Sequence, residues 1–161
     1  PSAPAVASRA TYAGYTTGGA ATVAIAVRDG VAIAYLCDGS RVEAWLRGSA
    51  TGGKLSLSGT HNSRLTGTYA HGLATGQVDV AGRHWTFRAR AVYPPSGLYR
   101  ATATVRGARV ENGWIVIDGR QVGVSTVDGV PQAAPPLDTA TRTATVDGAS
   151  VTAEPVDGAT P

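Results

Sequence analysis

Turn signals recur about every ten residues along this chain, and they constrain its fold more than any other feature of the sequence. Most of them place a glycine after Asp, Asn, His or Gly, as tight hairpins prefer, because a type I′ turn needs a positive φ at both central residues. They are Asp29-Gly30, Asp38-Gly39, Gly52-Gly53, 61–63, His71-Gly72, Ala81-Gly82, 94–96, Asn112-Gly113 and Asp118-Gly119. The intervening segments are rich in Val, Ile, Thr and Tyr, so the sequence predicts an antiparallel meander of about ten short strands.

The alternation of apolar residues supports this interpretation within individual segments. Val23, Ile25 and Val27 share one face of a strand, and the pattern predicts that this face continues after the Asp29-Gly30 turn in Val31, Ile33, Tyr35 and Cys37. Residues 42–47 fit a short helix, from the capping-box spacing of Ser40 and Glu43, or a strand, from alternation. We predict a strand there, because both neighbouring segments are strands.

A meander of this length must remove or hide its two free edges, which would otherwise pair with other chains. Closure into a barrel removes them, and folding into a sandwich hides them. The 21 glycines suit the corners and bulges at which a barrel wall bends. The sequence therefore predicts an all-β fold with a closed barrel, and a β-sandwich is the alternative.

Composition and charge divide the chain into three parts. A length of 161 residues fits one domain, and a single Cys excludes an internal disulfide framework. Residues 1–10 are small and rich in Pro and Ala, which predicts a linker that follows a removed signal peptide or membrane anchor. Residues 11–125 are predicted to form the barrel. Residues 126–161 form a Pro-rich acidic tail, in which 143–153 is predicted to be a hairpin that either closes the sheet or lies outside the fold.

The net charge of +3 is unevenly distributed between body and tail. Residues 1–125 contain 13 basic and six acidic side chains, whereas residues 126–161 contain one basic and five acidic side chains. The basic excess is small and aromatic residues are few, so we expect no nucleic-acid partner. Any anionic partner is expected to meet the body.

The sequence contains no motif for catalysis or metal binding, and we predict neither a catalytic residue, a metal site nor a cofactor. Of the acids in the body, Glu43 and Glu111 alone lack an obvious turn or surface role, which is weak support for a carboxylate pair. The three histidines lack metal-ligand spacing. Cys37 lies on an apolar face, where we expect a buried thiol.

Basic residues cluster in the segment that precedes the Pro94-Pro95 turn. His84, Arg88 and Arg90 share one face of a predicted strand, and pairing across the turn would bring Arg100 beside them, with Tyr99 at its flank. Arginines can bind an acidic partner here, or they can be solvated positions that prevent edge pairing. We take these five residues as the candidate binding site.

Three segments carry a resemblance to known proteins: VAIAVRDGVAIAYLCDGSRVEAWLRG at 23–48, SGLYR at 96–100 and GWIVIDGRQVG at 113–123. Over residues 12–125 the chain resembles uncharacterised secreted or membrane-anchored all-β domains of actinobacteria. The resemblance implies a location outside the cytoplasm and anchoring by a segment outside this sequence, but no activity. We therefore expect a non-catalytic binding or scaffolding module of the cell envelope that meets a protein or an anionic component. The alternatives are a lipocalin-like carrier of a small apolar ligand and a small β-barrel enzyme.

Overall fold

The computed structural model describes residues 8–160, which form fifteen β-strands joined by turns and loops. No helix in this range is long and apolar enough to cross a membrane. Residues 1–7 of the predicted linker lie outside the described residues, and Arg9 and Ala10 belong to the first strand. The strands are β1 (Arg9–Thr16), β2 (Thr22–Arg28), β3 (Val31–Cys37), β4 (Glu43–Thr51), β5 (Lys54–Gly59), β6 (Ser63–Ala70), β7 (Leu73–Val80), β8 (Arg83–Val92), β9 (Gly97–Val105), β10 (Ala108–Ile117), β11 (Arg120–Val127), β12 (Val130–Ala133), β13 (Thr143–Val146), β14 (Ala149–Thr152) and β15 (Glu154–Pro155).

Strands β1 to β8 form a closed antiparallel barrel, which confirms the predicted fold. Each strand pairs with the next, and β1 closes the circle by pairing with β8 from Thr11 opposite Val92 to Thr16 opposite Phe87. The prediction of a strand at 42–47 is confirmed by β4, which begins at Glu43. The residues that suggested the start of a helix form a turn around Asp38 instead. Its Oδ1 accepts hydrogen bonds from the backbone N–H groups of Ser40, Arg41 and Val42, which makes a local turn rather than a helix start.

The barrel interior is packed with apolar side chains, and glycines allow neighbouring strands of its wall to approach closely. Val23, Ile25 and Leu36 are among its fully buried residues. At Gly67 and Gly76, which face each other on β6 and β7, an added Cβ would lie 2.3 Å from the carbonyl oxygen of Thr75 and 2.1 Å from that of Thr66. Only glycine permits this close approach of the two backbones, which is the role expected of glycines at barrel corners.

A second, open sheet lies against the barrel, and it contains strands that the sequence assigned to the barrel. Its order is β12-β11-β10-β9-β15. The predicted barrel range of 11–125 is therefore too long at its C-terminal end, because the barrel closes at Val92 and the segment 97–127 builds the second sheet. Alternation identified these strands but does not determine which strand each one pairs with.

One face of the second sheet packs on the outside of the barrel. Ile33, Tyr35 and Cys37 of β3 lie in this contact with Leu98 and Ile115, and all five are buried. The prediction that Val31, Ile33, Tyr35 and Cys37 share the face of Val23, Ile25 and Val27 is wrong. The two-residue turn places Ala26 opposite Ile33, so the second strand points its β-branched and aromatic residues outward and Ala32 and Ala34 inward.

The Asn112-Gly113 turn signal also proved wrong, because both residues lie within β10. A Cβ on Gly113 would lie 2.6 Å from Cζ of Tyr35 and 2.9 Å from Cζ2 of Trp45. Glycine is needed at this position because the barrel's aromatic rings press on the sheet, not because the chain reverses.

The acidic tail belongs to the fold. Strands β13 and β14 pair as a hairpin that packs on the second sheet's outer face, where Ala144, Val146 and Val151 are buried with Trp114. The hairpin thus covers a face of the sheet instead of extending its edge. Farther along, β15 pairs with β9, and Asp157 forms an ion pair of 3.0 Å with Arg28 of the barrel.

The free edge of the second sheet is protected by a proline. The N–H of Ala134 donates to the carbonyl of Gly123, which fixes the alternation of hydrogen bonds along β12. In that alternation the backbone of Pro131 faces away from β11, where a proline offers no N–H to an incoming strand. The other edge is β15, which has two residues and ends in Pro155.

Candidate functional site

A cleft of about 730 Å³ opens between the barrel and the second sheet. Strands β1 and β8 form one wall, the segment that connects β8 to β9 forms the rim, and the end of β10 forms the opposite wall. Its lining consists of Ala13, Gly14, Tyr15, Arg88, Arg90, Ala91, Val92, Tyr93, Ser96, Ile117 and Asp118. The second sheet packs against the barrel at β1, β2 and β3. The cleft lies next to this contact, where the curved barrel wall turns away from the open sheet at β1 and β8.

Arg88 and Arg90 place two positive charges in this cleft. Both point outward from β8, because Phe87 and Ala89 fill the barrel interior on the alternate positions. Arg88 lies opposite Tyr15 of β1, and Arg90 lies opposite Ala13. Within residues 8–160, neither arginine takes part in a salt bridge or a side-chain hydrogen bond, so both guanidinium groups keep their donors for a partner.

Two exposed tyrosines stand beside the arginines. Tyr15 is 50% exposed and Tyr93 is 76% exposed, although large aromatic side chains usually lose most of their surface to packing. Both belong to the cleft lining. Asp118 on the opposite wall is held in the turn after β10, where its N–H donates to Oγ of Ser96 over 3.0 Å. The cleft thus combines cationic donors with flat aromatic surfaces.

Arg100 and Tyr99 do not join this cleft, because β9 pairs with β10 and β15 and not with β8. The Pro94-Pro95 turn links the two sheets instead of closing a hairpin. The guanidinium of Arg100 lies 4.9 Å from the ring centroid of Trp45, in a cation–π contact between sheet and barrel. Tyr99 is buried on the sheet's other face, and its hydroxyl donates to the carbonyl of Pro95 over 2.8 Å.

His84 shares the outward face of β8 with the two arginines but lies toward the other end of the strand. Its Nδ1 is hydrogen-bonded to Oδ1 of Asp79, its partner on β7. Of the five residues predicted as a site, the structure therefore brings together Arg88 and Arg90, keeps His84 on the same face, and places Arg100 and Tyr99 in structural contacts.

The contact between barrel and sheet also contains a small polar network around Glu43. Its two carboxylate oxygens accept hydrogen bonds from the hydroxyl of Tyr35 over 2.8 Å and from Oγ1 of Thr126 over 2.5 Å. Burial, followed by the charges of Cys37 and Glu43, raises the pKa of Tyr35 far above its usual value, so the hydroxyl keeps its proton and donates. Burial likewise raises the pKa of the Cys37 thiol to about 12. The hydrogen bond from Thr126 to Glu43 connects the second sheet to the barrel, and Tyr35 holds Glu43 from the barrel side.

Among the residues that the structure describes, Glu43 and Glu111 are linked in this contact only through Thr126. Glu111 is the cross-strand partner of Thr126, which donates to Glu43. Glu111 accepts a hydrogen bond from Arg109 over 3.0 Å, and within residues 8–160 neither acid lines the cleft between the barrel and the second sheet. The same range holds no group of three or more His, Cys, Asp or Glu residues that could bind a metal ion.

The other residues that line the cleft were not predicted from the sequence. Tyr15, Ser96 and Ile117 come from three segments that the topology brings together, and no local pattern predicts that arrangement. The available signal was Tyr15 itself, which occupies an outward position on a strand whose inward positions are Tyr12 and Gly14.

Comparisons with known proteins do not indicate what binds in this cleft. No protein-family model, no curated protein and no solved structure matches the chain. The function must therefore be argued from the site alone.

Proposed function

We propose that this protein is a non-catalytic binding module that takes an anionic partner into the cleft between its barrel and its second sheet. One observation carries the proposal: Arg88 and Arg90, free of any ion pair within residues 8–160, face a cleft of about 730 Å³ beside the exposed rings of Tyr15 and Tyr93. Two free guanidinium groups bind carboxylate or phosphate oxygens through charge-assisted, bidentate hydrogen bonds.

The charge distribution favours the same side of the molecule. The barrel, residues 9–92, contains nine Arg and Lys residues against four acids, whereas residues 93–161 contain five against seven. An anionic partner is therefore attracted to the barrel and repelled by the acidic remainder, which directs it to the barrel wall of the cleft.

The proposal is for binding and not for catalysis because of the groups that line the cleft. Arginine is a poor proton-transfer group, and among the described residues Asp118 has no second carboxylate and no histidine beside it in the lining with which to form an acid–base pair. The barrel interior supports a carrier of apolar ligands no better, since Tyr12, Tyr69 and Phe87 are among the side chains that fill it.

Location outside the cytoplasm, as a component of the cell envelope, is part of this proposal and rests on the resemblance of residues 12–125. A protein of the envelope can be digested by an added protease in intact cells. Resistance in intact cells together with digestion after lysis would contradict this location.

Binding of polyanions tests the proposed site directly. Isothermal titration with polyglutamate and with polygalacturonate should show binding of at least one polymer by the natural protein, weakened about tenfold or more in Arg88→Glu/Arg90→Glu. The matched control is Arg41→Glu/Arg106→Glu, which makes the same change in net charge at two exposed arginines outside the cleft. Failure to bind either polymer, or an equal loss in both double variants, would contradict the proposal.

A further inference from the structure

The outer surface of β5 to β8, next to the cleft, is the side of the barrel that the second sheet leaves uncovered. Its outward residues line up in three rows that cross the four strands. The first row is Lys54, Thr68, Thr75 and Arg88; the second is Ser56, Thr66, Gln77 and Thr86; the third is Ser58, Arg64, Asp79 and His84. We call these twelve residues the hydroxyl face.

The hydroxyl face contains no apolar side chain larger than the methyl group of threonine. Six of its twelve members are Ser or Thr, and Gln77 adds an amide. Such a surface offers donors and acceptors in regular order, at the spacing of about 4.8 Å between neighbouring strands. It is unsuited to an apolar peptide or to lipid chains, because it offers them no apolar area to bury.

The charge of the hydroxyl face is positive. Lys54, Arg64 and Arg88 carry charges, and the one carboxylate, Asp79, is hydrogen-bonded to its neighbour His84. Lys54 and Arg88 stand at opposite ends of the first row, three strand spacings or about 14 Å apart. A ligand that satisfies this row carries negative charges at intervals and polar groups between them.

A shallow depression gives this ligand a place to lie. It has a volume of about 480 Å³, lies at the paired glycines Gly67 and Gly76, and is bordered by Thr66, Thr68, Thr75, Gln77 and Thr86. The first row continues from Arg88 to Tyr15 of β1 and so enters the cleft. A chain lying along the row would therefore end against an aromatic ring.

We infer that the anionic partner is an acidic polysaccharide, which crosses the hydroxyl face along the row from Lys54 to Arg88 and ends in the cleft beside Tyr15 and Tyr93. A sugar chain offers hydroxyl groups to the Thr and Gln side chains, carboxylates to the cations, and the apolar face of a ring to the tyrosines. This inference rests on the proposed function, since Arg88 belongs to both surfaces.

The inference is tested by comparing polymers that differ in backbone but share negative charge. Isothermal titration is carried out with polygalacturonate, with polyglutamate as the acidic peptide and with dextran as the neutral sugar. The natural protein should bind polygalacturonate at least about fivefold more tightly than polyglutamate and should not bind dextran, since both charge and sugar hydroxyls are needed.

Two variants of the hydroxyl face complete the test. Lys54→Glu should weaken binding of polygalacturonate about fivefold, and Thr66→Val/Thr75→Val about threefold, with little effect on polyglutamate. The control is Thr102→Val/Thr104→Val, which alters two exposed threonines on β9 of the second sheet. Circular dichroism spectra should match in all variants, because the changed residues are not buried and valine favours strands.

The possible results separate the two proposals. If polyglutamate binds as tightly as polygalacturonate and the hydroxyl-face variants bind both normally, the polysaccharide inference is overturned while the anionic cleft stands. If Arg88→Glu/Arg90→Glu also binds both polymers normally, the proposed function fails as well. Selective loss of polygalacturonate in Lys54→Glu and in Thr66→Val/Thr75→Val supports the inference.

Discussion

The barrel and the second sheet solve the same problem, unpaired strand edges, in different ways. The barrel pairs β1 with β8 and so has no edge, whereas the second sheet keeps two edges and protects them with Pro131 and with the very short β15. The barrel fills its own interior, but the sheet depends on the barrel to cover one face and on the β13–β14 hairpin to cover the other. The sheet is thus the dependent partner, and the imperfect contact between an open sheet and a curved wall creates the cleft.

The two regions also differ in what they offer a partner. The barrel is the basic region, and its uncovered side carries the hydroxyl face and the arginines of the cleft. Both faces of the second sheet are covered, one by the barrel and the other by the β13–β14 hairpin. Binding is therefore expected on the barrel side, and the sheet is expected to define where the bound chain stops.

The largest effect is expected at the largest fully buried side chain, Trp114, which packs with the β13–β14 hairpin on the second sheet. Trp114 is 1% exposed, and its Nε1 donates to the carbonyl of Pro135 over 2.8 Å. Replacement Trp114→Ala should lower the free energy of unfolding by about 3–5 kcal/mol, measured by urea denaturation, because it leaves a large cavity and an unpaired carbonyl. Hydrogen exchange should rise more in β9–β11 than in β6 and β7, and an equal rise in both regions would remove the distinction between them.

A change at a barrel corner should come next in size. In Gly76→Ala the new Cβ meets the carbonyl oxygen of Thr66 at 2.1 Å, which the backbone can relieve only by moving β6 and β7 apart. A loss of about 3 kcal/mol is expected. Gly119→Ala is the control, since its φ of 81° makes a side chain unfavourable but nothing lies within 4 Å of the added Cβ. It should cost about 1 kcal/mol, and a similar cost for both would show that the corner is not tight.

The polar network around Glu43 can be weakened by one atom on its barrel side, since Tyr35 and Glu43 are both barrel residues. Tyr35→Phe removes the hydrogen bond to Glu43 and should cost about 1.5–3 kcal/mol, as is usual for hydrogen bonds to charged groups. Tyr15→Phe, at an exposed ring on the cleft, should leave stability almost unchanged. Thermal unfolding of both variants measures the difference, and equal melting temperatures would mean that the hydrogen bond from Tyr35 to Glu43 does not stabilise the fold.

The smallest effect is expected where the tail meets the barrel. Burial acts to raise the pKa of Asp157, but hydrogen bonds from the N–H of Ala159 and from Arg28, with the charges of Arg28 and Arg9, lower it below its usual range. The unfolded chain binds this proton more readily, so the contribution is complete above about pH 4 and is lost as the pH falls through the lower, folded pKa. Asp157→Asn should cost about 1 kcal/mol or less at pH 7 and a smaller amount at pH 2, in urea titrations at both pH values. An undiminished cost at pH 2 would contradict this role.

Local sequence patterns predicted the closed barrel but not the extent of it. The glycine-containing turns and the alternation of residues 23–37 define hairpins, and a chain of hairpins closes most simply into a barrel. Nothing local distinguishes the Pro94-Pro95 link between two sheets from a hairpin turn, so Arg100 was expected beside Arg90. Similarly, Gly113 resembles a turn residue until the rings of Tyr35 and Trp45 are known to press on it.

The site was predictable to the same degree. The alternation on β8 exposes Arg88 and Arg90 whatever the strand pairs with, and both proved to line the cleft. Tyr15 and Asp118 join them only through the pairing of β1 with β8 and the approach of β10. Which side chains a single strand exposes was therefore predictable, whereas a cleft lined by three different strands was not.

Binding in the cleft is tested most directly by a map of where a polyanion touches the protein. Amide chemical shifts of ¹⁵N-labelled protein should be followed during titration with oligomers of galacturonate and of glutamate. With at least one of them the largest shifts are expected at Arg88, Arg90 and Tyr93, with smaller changes in the second sheet. Shifts centred on the distant Arg106 and Arg109, or no shifts with either oligomer, would contradict binding in the cleft.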